Sequence, residues 1–201
     1  LNTRVEILSL NGITLDLGSG RNPIPSYYEH FNKVDREKVI TVNLVRDNRP
    51  HVLADLEQSL PFKGSSIQYV IMFNLLEHIY HYQNLCSQVH RILKKGGICY
   101  IFVPFLYQIH QDPHDYFRYS GEALRRLLEE AGFNNITIDN LGFGPFTTGW
   151  FFLSQLPQFK LLRMPLSRLC LKIDGIIEHK RRDQNSLAKN YPFAYFVTCV
   201  K

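Results

Sequence analysis

The stretch Ile13-Thr14-Leu15-Asp16-Leu17-Gly18-Ser19-Gly20 constrains this chain more than any other. A short apolar run leads into an acid and then a glycine-spaced turn. Nothing at Gly18 or Gly20 holds a ligand off the backbone. Buried parallel strands end this way at nucleotide-type pockets: leucines and a β-branched residue fill the sheet, and glycines then permit positive φ and close approach of the main chain. Short Gly-x-Gly turns also occur in ordinary strand-to-helix connections, so the rest of the chain has to decide between the two.

From residue 13 onward strand-like and helix-like patterns alternate, which predicts a parallel sheet with crossover helices. Ile13–Leu17, Val39–Asn43, Ile67–Phe73 and Ile98–Val103 read as strands, with a shorter one at Val52–Ala54. A helix is expected over Asn84–Lys94, where Leu85, Val89, Ile92 and Leu93 share a face, with Lys94-Lys95-Gly96-Gly97 as its stop. Ser120 is a natural N-cap for a second helix bearing Leu124, Leu127, Leu128 and Ala131 on one face and ending at Gly132. Asn135–Asn140 and Phe193–Val200 alternate as edge or antiparallel strands.

The chain of 201 residues reads as a single domain, 1–201, with residues 142–190 as a helical, aromatic-rich insertion before the last strand. Pro145, Pro157 and Pro165 break that insertion, and Leu166, Leu169, Cys170, Ile173, Ile176 and Ile177 form a stripe expected to serve as core or subunit contact. The net charge of +5 leaves room for anionic partners without requiring one. Apart from Lys180-Arg181-Arg182 the cations are scattered, which reads as a solvated face. Cys86, Cys99, Cys170 and Cys199 each lie in apolar segments without Cys-x-x-Cys or zinc-like histidine spacing. Buried free thiols in a reducing, cytoplasmic compartment are expected, and no metal centre. No apolar run of about 18 residues and no signal peptide are visible. The chain begins at Leu1 rather than Met, which leaves room for residues upstream.

Four motifs in order make the pattern specific: Leu15-Asp16-Leu17-Gly18-Ser19-Gly20, Ala54-Asp55-Leu56, Asn74-Leu75-Leu76-Glu77-His78, and Leu93-Lys94-Lys95-Gly96-Gly97 before a strand ending at Pro104. Over about residues 10 to 141 the chain resembles the class I S-adenosylmethionine-dependent methyltransferases, in particular the small-molecule type with Leu-Glu-His after the fourth strand. Phe193–Lys201 resembles the family's last strand. The block His110–Ser120 resembles a subgroup among bacterial sugar and secondary-metabolite methyltransferases. The resemblance implies a Rossmann-like α/β fold: a seven-stranded sheet, mainly parallel with one antiparallel strand, and helices on both faces.

It also implies where S-adenosylmethionine would sit. The Gly18-Ser19-Gly20 turn and the amides of the following helix would face the methionine carboxylate. Asp16 would meet the ammonium, Asn43 the ribose, and Asp55 with Leu56 the adenine. Asn74, Leu75 and His78 would flank the methionine moiety. The chain departs from the family pattern at Asn22, usually glycine, and at Asn43, usually an acid. A dinucleotide dehydrogenase would need a third glycine where Pro23 stands.

His110, His114 and Asp115 are the candidates for substrate handling, because a histidine of ordinary pKa can take one proton from an acceptor. Asp115, Tyr116, Arg118 and Tyr119 could equally form a structural ion-pair cluster. Glu77 and His78, at a helix start, could be catalytic; the favoured reading is structural, with Glu77 interacting with the helix N-terminus and His78 packing over the cofactor site. The expected function is methyl transfer to oxygen or nitrogen of a small molecule, such as a sugar or lipid-linked intermediate. The alternatives are a tRNA or other RNA methyltransferase and a non-catalytic cofactor-binding module. Nucleic acid is a less favoured partner; peripheral membrane contact and a homodimer are left open.

Overall fold

The computed structural model describes residues 2–20, 25–180 and 186–201. Asn22, Pro23, Arg181 and Arg182 lie outside the described residues.

Seven strands form the sheet: β1 (Thr14–Leu17), β2 (Val39–Asn43), β3 (Val52–Leu53), β4 (Ile67–Phe73), β5 (Leu93–Pro104), β6 (Asn134–Gly142) and β7 (Pro192–Val200). Their order is β3-β2-β1-β4-β5-β7-β6. All four residues of β1 are buried, as a central parallel strand covered on both faces requires. It pairs in parallel with β2 (Asp16 opposite Thr41) and with β4 (Asp16 opposite Ile71). β4 in turn pairs in parallel with β5 through Phe73 and Phe102. β7 runs the other way: Gly96 and Gly97 at the start of β5 bond Lys201 just past the end of β7, and Phe105 past the end of β5 bonds Phe193.

Two helices follow the expected faces. Helix α1 (Tyr82–Ile92) buries Leu85, Cys86, Val89 and Ile92, and α2 (Gly121–Glu130) buries Leu124, Leu127 and Leu128. The Ser120 hydroxyl accepts from the Ala123 amide at 3.2 Å, the N-cap expected of it. The Lys94–Gly97 segment does not cap α1. Leu93 is already extended, and the pairing with β4 jumps from Ile67–Leu93 to Tyr69–Ile98, so the glycines occupy a bulge at the mouth of β5. The helix expected directly after Gly20 is also absent among the described residues, which show a five-residue 3-10 turn, Ser26–His30.

The chain divides into two compact units. The first comprises Leu1–Pro104, Gln108–Asp139 and Phe196–Lys201; the second comprises Phe105–Tyr107 and Asn140–Tyr195. In the second, α3 (Pro145–Leu153) packs on α4 (Arg163–Lys180). The apolar stripe of α4 is split: Leu169 and Ile176 are exposed, and the buried residue of the helix is Asp174. Its carboxylate accepts from the Phe146 and Thr147 amides at 3.1 and 2.7 Å, satisfying the first turn of α3 from a neighbouring helix. Of the four cysteines, Cys86, Cys99 and Cys199 are buried as expected, whereas Cys170 on α4 is half-buried.

The Asp174 cap gives a direct test. Asp174→Ala leaves two helix-terminal amides without partners and should destabilise the protein by about 1–3 kcal/mol, whereas Ile176→Ala on the exposed face should cost about 0.5 kcal/mol or less. Chemical denaturation of the two variants checks the difference.

Candidate active site

The strand ends define the site. β1, β2 and β4 stop at one edge, and the ladder runs on into the loops: the Gly18 amide bonds Val42 O at 2.9 Å, Ala54 bonds Asn43 O at 3.0 Å, and Asn74 bonds Phe102 O at 2.8 Å. Gly18, Asn43, Asp55 and Asn74 are thereby gathered at the carboxyl ends of parallel strands.

The turn after β1 needs its glycines. Gly18 has φ +73°, and a Cβ there would stand 2.7 Å from Leu75 Cδ1. Gly20 has φ +74°, and among the described residues a Cβ on it would meet no atom within 4 Å. Packing on Leu75 therefore accounts for Gly18, while no described residue crowds Gly20. Ser19, Leu56 and Leu75 are buried, and Asp55 is exposed with its Oδ1 accepting from Glu57 N at 2.9 Å. Asn43 is half-buried and engaged twice: Nδ2 donates to Gly20 O at 3.3 Å, and Oδ1 accepts from Val45 N at 3.1 Å. It ties the end of β2 to the glycine turn, a role its side-chain amide donor makes possible and an acid would not fill. Asn74 holds φ +50° at the sharp exit from β4.

Asp16 is 1% exposed. Its Oδ2 accepts hydroxyls from Tyr27 at 2.5 Å and Tyr28 at 2.9 Å, while Oδ1 is buried with no hydrogen-bond partner among the described residues. Burial pushes its carboxyl up to about 6, and the two tyrosine hydrogen bonds pull against that rise. No spacing rule in the sequence points to Tyr27 and Tyr28. They reach Asp16 from the 3-10 turn, where Tyr27 also packs on Phe73 at a centroid distance of 5.2 Å. Among the described residues, the unpartnered Asp16 Oδ1 and the uncrowded Gly20 turn fit a ligand carrying both an ammonium and a carboxylate, as S-adenosylmethionine does.

A second cluster follows Asn74 and Leu75 directly. Leu76–His78 is a single 3-10 turn, and Glu77 in it is fully buried. Contrary to expectation Glu77 caps no helix, because α1 begins only at Tyr82. Among the described residues no side chain donates to either carboxylate oxygen, and burial pushes the group up to about 7 against the pull of its own backbone amide and, more weakly, of nearby Arg118. His78 Nε2 and His110 Nε2 each lie 3.8 Å from Glu77 Oε1.

The block 108–119 supplies the other half. Arg118 grips Asp115 with both terminal nitrogens and also donates to the Gln108 and Phe117 carbonyls. That bidentate pair holds the Asp115 carboxyl down to about 2. Asp115 in turn accepts from the His110 amide at 2.8 Å and lies 3.5 Å from His110 Nδ1. The structural cluster and the candidate histidine are thus one network. His114 is placed differently: its ring is exposed beside Tyr116, and its backbone carbonyl accepts from His78 Nδ1. Tyr119 anchors the end of the block by donating to Leu76 O at 3.2 Å.

These residues lie within the reach of known proteins. A family model for the methyltransferase domain matches residues 3–138. No curated protein matches the chain in sequence. Among solved structures, Haemonchus contortus phosphoethanolamine N-methyltransferase 2, in complex with phosphomonomethylethanolamine and S-adenosylhomocysteine, superposes with TM-score 0.59 at 16% identity; 99% of this chain and 51% of that one are covered. The chain therefore spans about half the length of that protein. An S-adenosylmethionine-dependent methyltransferase from Archaeoglobus fulgidus gives TM-score 0.59 at 18% identity over 94% of this chain and 85% of its own. A Haloferax volcanii methyltransferase in complex with the activator Trm112 gives 0.60 at 15% identity, covering 99% and 86%. At such identities the likeness concerns the fold. The match over residues 3–138, with the strand order and the glycine turn, places the chain in the methyltransferase-domain family, the class I fold whose methyl donor is S-adenosylmethionine.

Proposed function

We propose that the protein transfers the methyl group of S-adenosylmethionine to an oxygen or nitrogen of a small molecule, and that Glu77, His78 and His110 face the acceptor. The observation that carries this reading is the convergence of those three side chains immediately after the Asn74–Leu75 exit of β4. The cofactor brings an activated methyl on a sulfonium sulfur, so the protein's task is alignment of the acceptor and disposal of one proton. Asp16, the glycine turn, Asn43 and Asp55 bind the cofactor's ammonium, carboxylate, ribose and adenine. Asp115 and Arg118 position His110, while His114 contributes its backbone carbonyl to hold His78. The Haemonchus neighbour, bound to a small phosphorylated amine, supports a small acceptor.

Three outcomes are expected. First, methyl-labelled S-adenosylmethionine incubated with the protein and cell extract should deposit label in the metabolite fraction; label in RNA instead would overturn the small-molecule reading. Second, Gly20→Ala should cost the strain of a left-handed alanine, about 1–2 kcal/mol, since no atom of the described residues is near. The same methyl enters the space assigned to the cofactor, so S-adenosylhomocysteine affinity measured by calorimetry should fall at least tenfold. Third, the carboxylate form of Asp16 is the one that binds an ammonium, and its carboxyl sits at about 6. Affinity should therefore rise about tenfold from pH 5 to pH 7, binding below pH 6 being accompanied by proton release. In Asp16→Asn that pH dependence should disappear.

A further inference from the structure

The tautomers of His78 and His110 follow from their partners. A carbonyl oxygen only accepts, so His78 Nδ1, bonded to His114 O, carries the hydrogen. The same holds for His110 Nδ1, 3.3 Å from Gln108 O. In both neutral rings the lone pair is then on Nε2, and both Nε2 atoms stand 3.8 Å from Glu77 Oε1. The three ligand atoms all lie within 4.8 Å of one another. Two imidazole nitrogens and a fully buried carboxylate that receives no side-chain donor among the described residues are thus gathered within one small volume. A separation of 3.8 Å is too long for a shared proton, since hydrogen bonds to oxygen fall at about 2.7–3.2 Å. Arg118 acts on Glu77 electrostatically, but its hydrogen bonds go to Asp115 and to backbone carbonyls.

We infer that Glu77, His78 and His110 form a binding site for one divalent transition-metal ion of the zinc class, held by a carboxylate oxygen and two Nε2 atoms. Two histidines and a carboxylate are a donor set for such ions, with at least one coordination position left to another ligand. Zinc bonds of about 2.0–2.1 Å at tetrahedral angles set ligand atoms about 3.3 Å apart, so each 3.8 Å gap closes by about half an ångström. The outer partners are those a metal-bound histidine needs: each Nδ1–H is fixed by a carbonyl, and His110 has the Asp115 carboxylate beside it at 3.5 Å. The His110 side chain is 33% exposed and Glu77 is fully buried, so the open position lies towards solvent on the His110 side. An alcohol or phenol oxygen there would be acidified by the cation, which narrows the acceptor atom to oxygen. The inference rests on reading this cluster as the acceptor side of the site.

The test uses the full chain, stripped with a chelator and titrated with zinc chloride against a chromophoric chelator. Cobalt(II) replaces zinc in a parallel titration read by visible absorption. One zinc per chain and a cobalt band of low-symmetry, four- or five-coordinate character are expected. Both should weaken about 100-fold or more in Glu77→Gln and in His110→Ala. His110 lies in a half-exposed loop, so its variant keeps the test valid if Glu77→Gln does not fold. Absence of stoichiometric zinc, or zinc affinity unchanged in folded His110→Ala, overturns the site. S-adenosylhomocysteine calorimetry on the metal-free protein separates the two claims. Cofactor binding without zinc binding overturns the metal site and leaves the methyltransferase reading standing, and zinc binding without cofactor binding does the reverse.

Discussion

Strand β1 is hydrogen-bonded along both edges, and everything at the site depends on that position. Parallel pairing with β2 and β4 aligns Asp16 with Thr41 and Ile71, so all three strands end within a residue or two of one another. A one-residue slip would turn Leu15 and Leu17 to the opposite face and exchange Asp16 with an apolar neighbour. Since both faces of β1 are covered, the cost of a slip lies in moving the buried Asp16 away from the Tyr27 and Tyr28 hydroxyls and setting an apolar residue in its place. The glycine turn therefore emerges at a determined place beside Asn43, which holds it by the Gly20 carbonyl.

Two buried carboxylates flank this edge, and the contrast between them divides the site chemically. Asp16 is supplied with two phenolic donors, and burial raises it only to about 6, within reach of a ligand ammonium. Glu77 receives no side-chain donor among the described residues, and two imidazole Nε2 atoms stand 3.8 Å from its Oε1. Such an arrangement is unfavourable as it stands, because an uncompensated buried acid is expensive. On the reading proposed above, a metal cation would offset the penalty at Glu77 much as the cofactor's ammonium would complete Asp16.

The strands and the glycine turn were legible in the sequence because they depend on local periodicity: β2 and β4 fall at Val39–Asn43 and Ile67–Phe73 as read, and Ser120 caps α2. The end of α1 was misread for a related reason. Two lysines before two glycines look the same as a helix stop or as a bulge entering a strand, and only pairing with β4 distinguishes them. At the site, Asp16, Gly18, Asn43 and Asn74 could be placed because strand ends collect them. Tyr27, Tyr28 and the union of Glu77 with His110 could not. Those contacts join positions 11 to 33 residues apart across loops, and neither a period nor a motif spacing records such a meeting.

The loop 108–119 shows how such a meeting is made reliable without regular secondary structure. Arg118 closes it by bonding Asp115 and the Gln108 carbonyl, Asp115 holds the His110 amide, and Tyr116 and Tyr119 tie it to the Glu77 and Leu76 carbonyls. A guanidinium can do this where an ammonium cannot, because its planar fork serves a carboxylate with two nitrogens while still reaching a carbonyl. The network's effect is to fix the orientation of His110 rather than to transfer a proton: Asp115, held at about 2, stays ionised at every pH at which the protein would work. Alignment is the main thing methyl transfer asks of a protein, and in the proposed site an Arg–Asp pair would supply it by acting through a histidine.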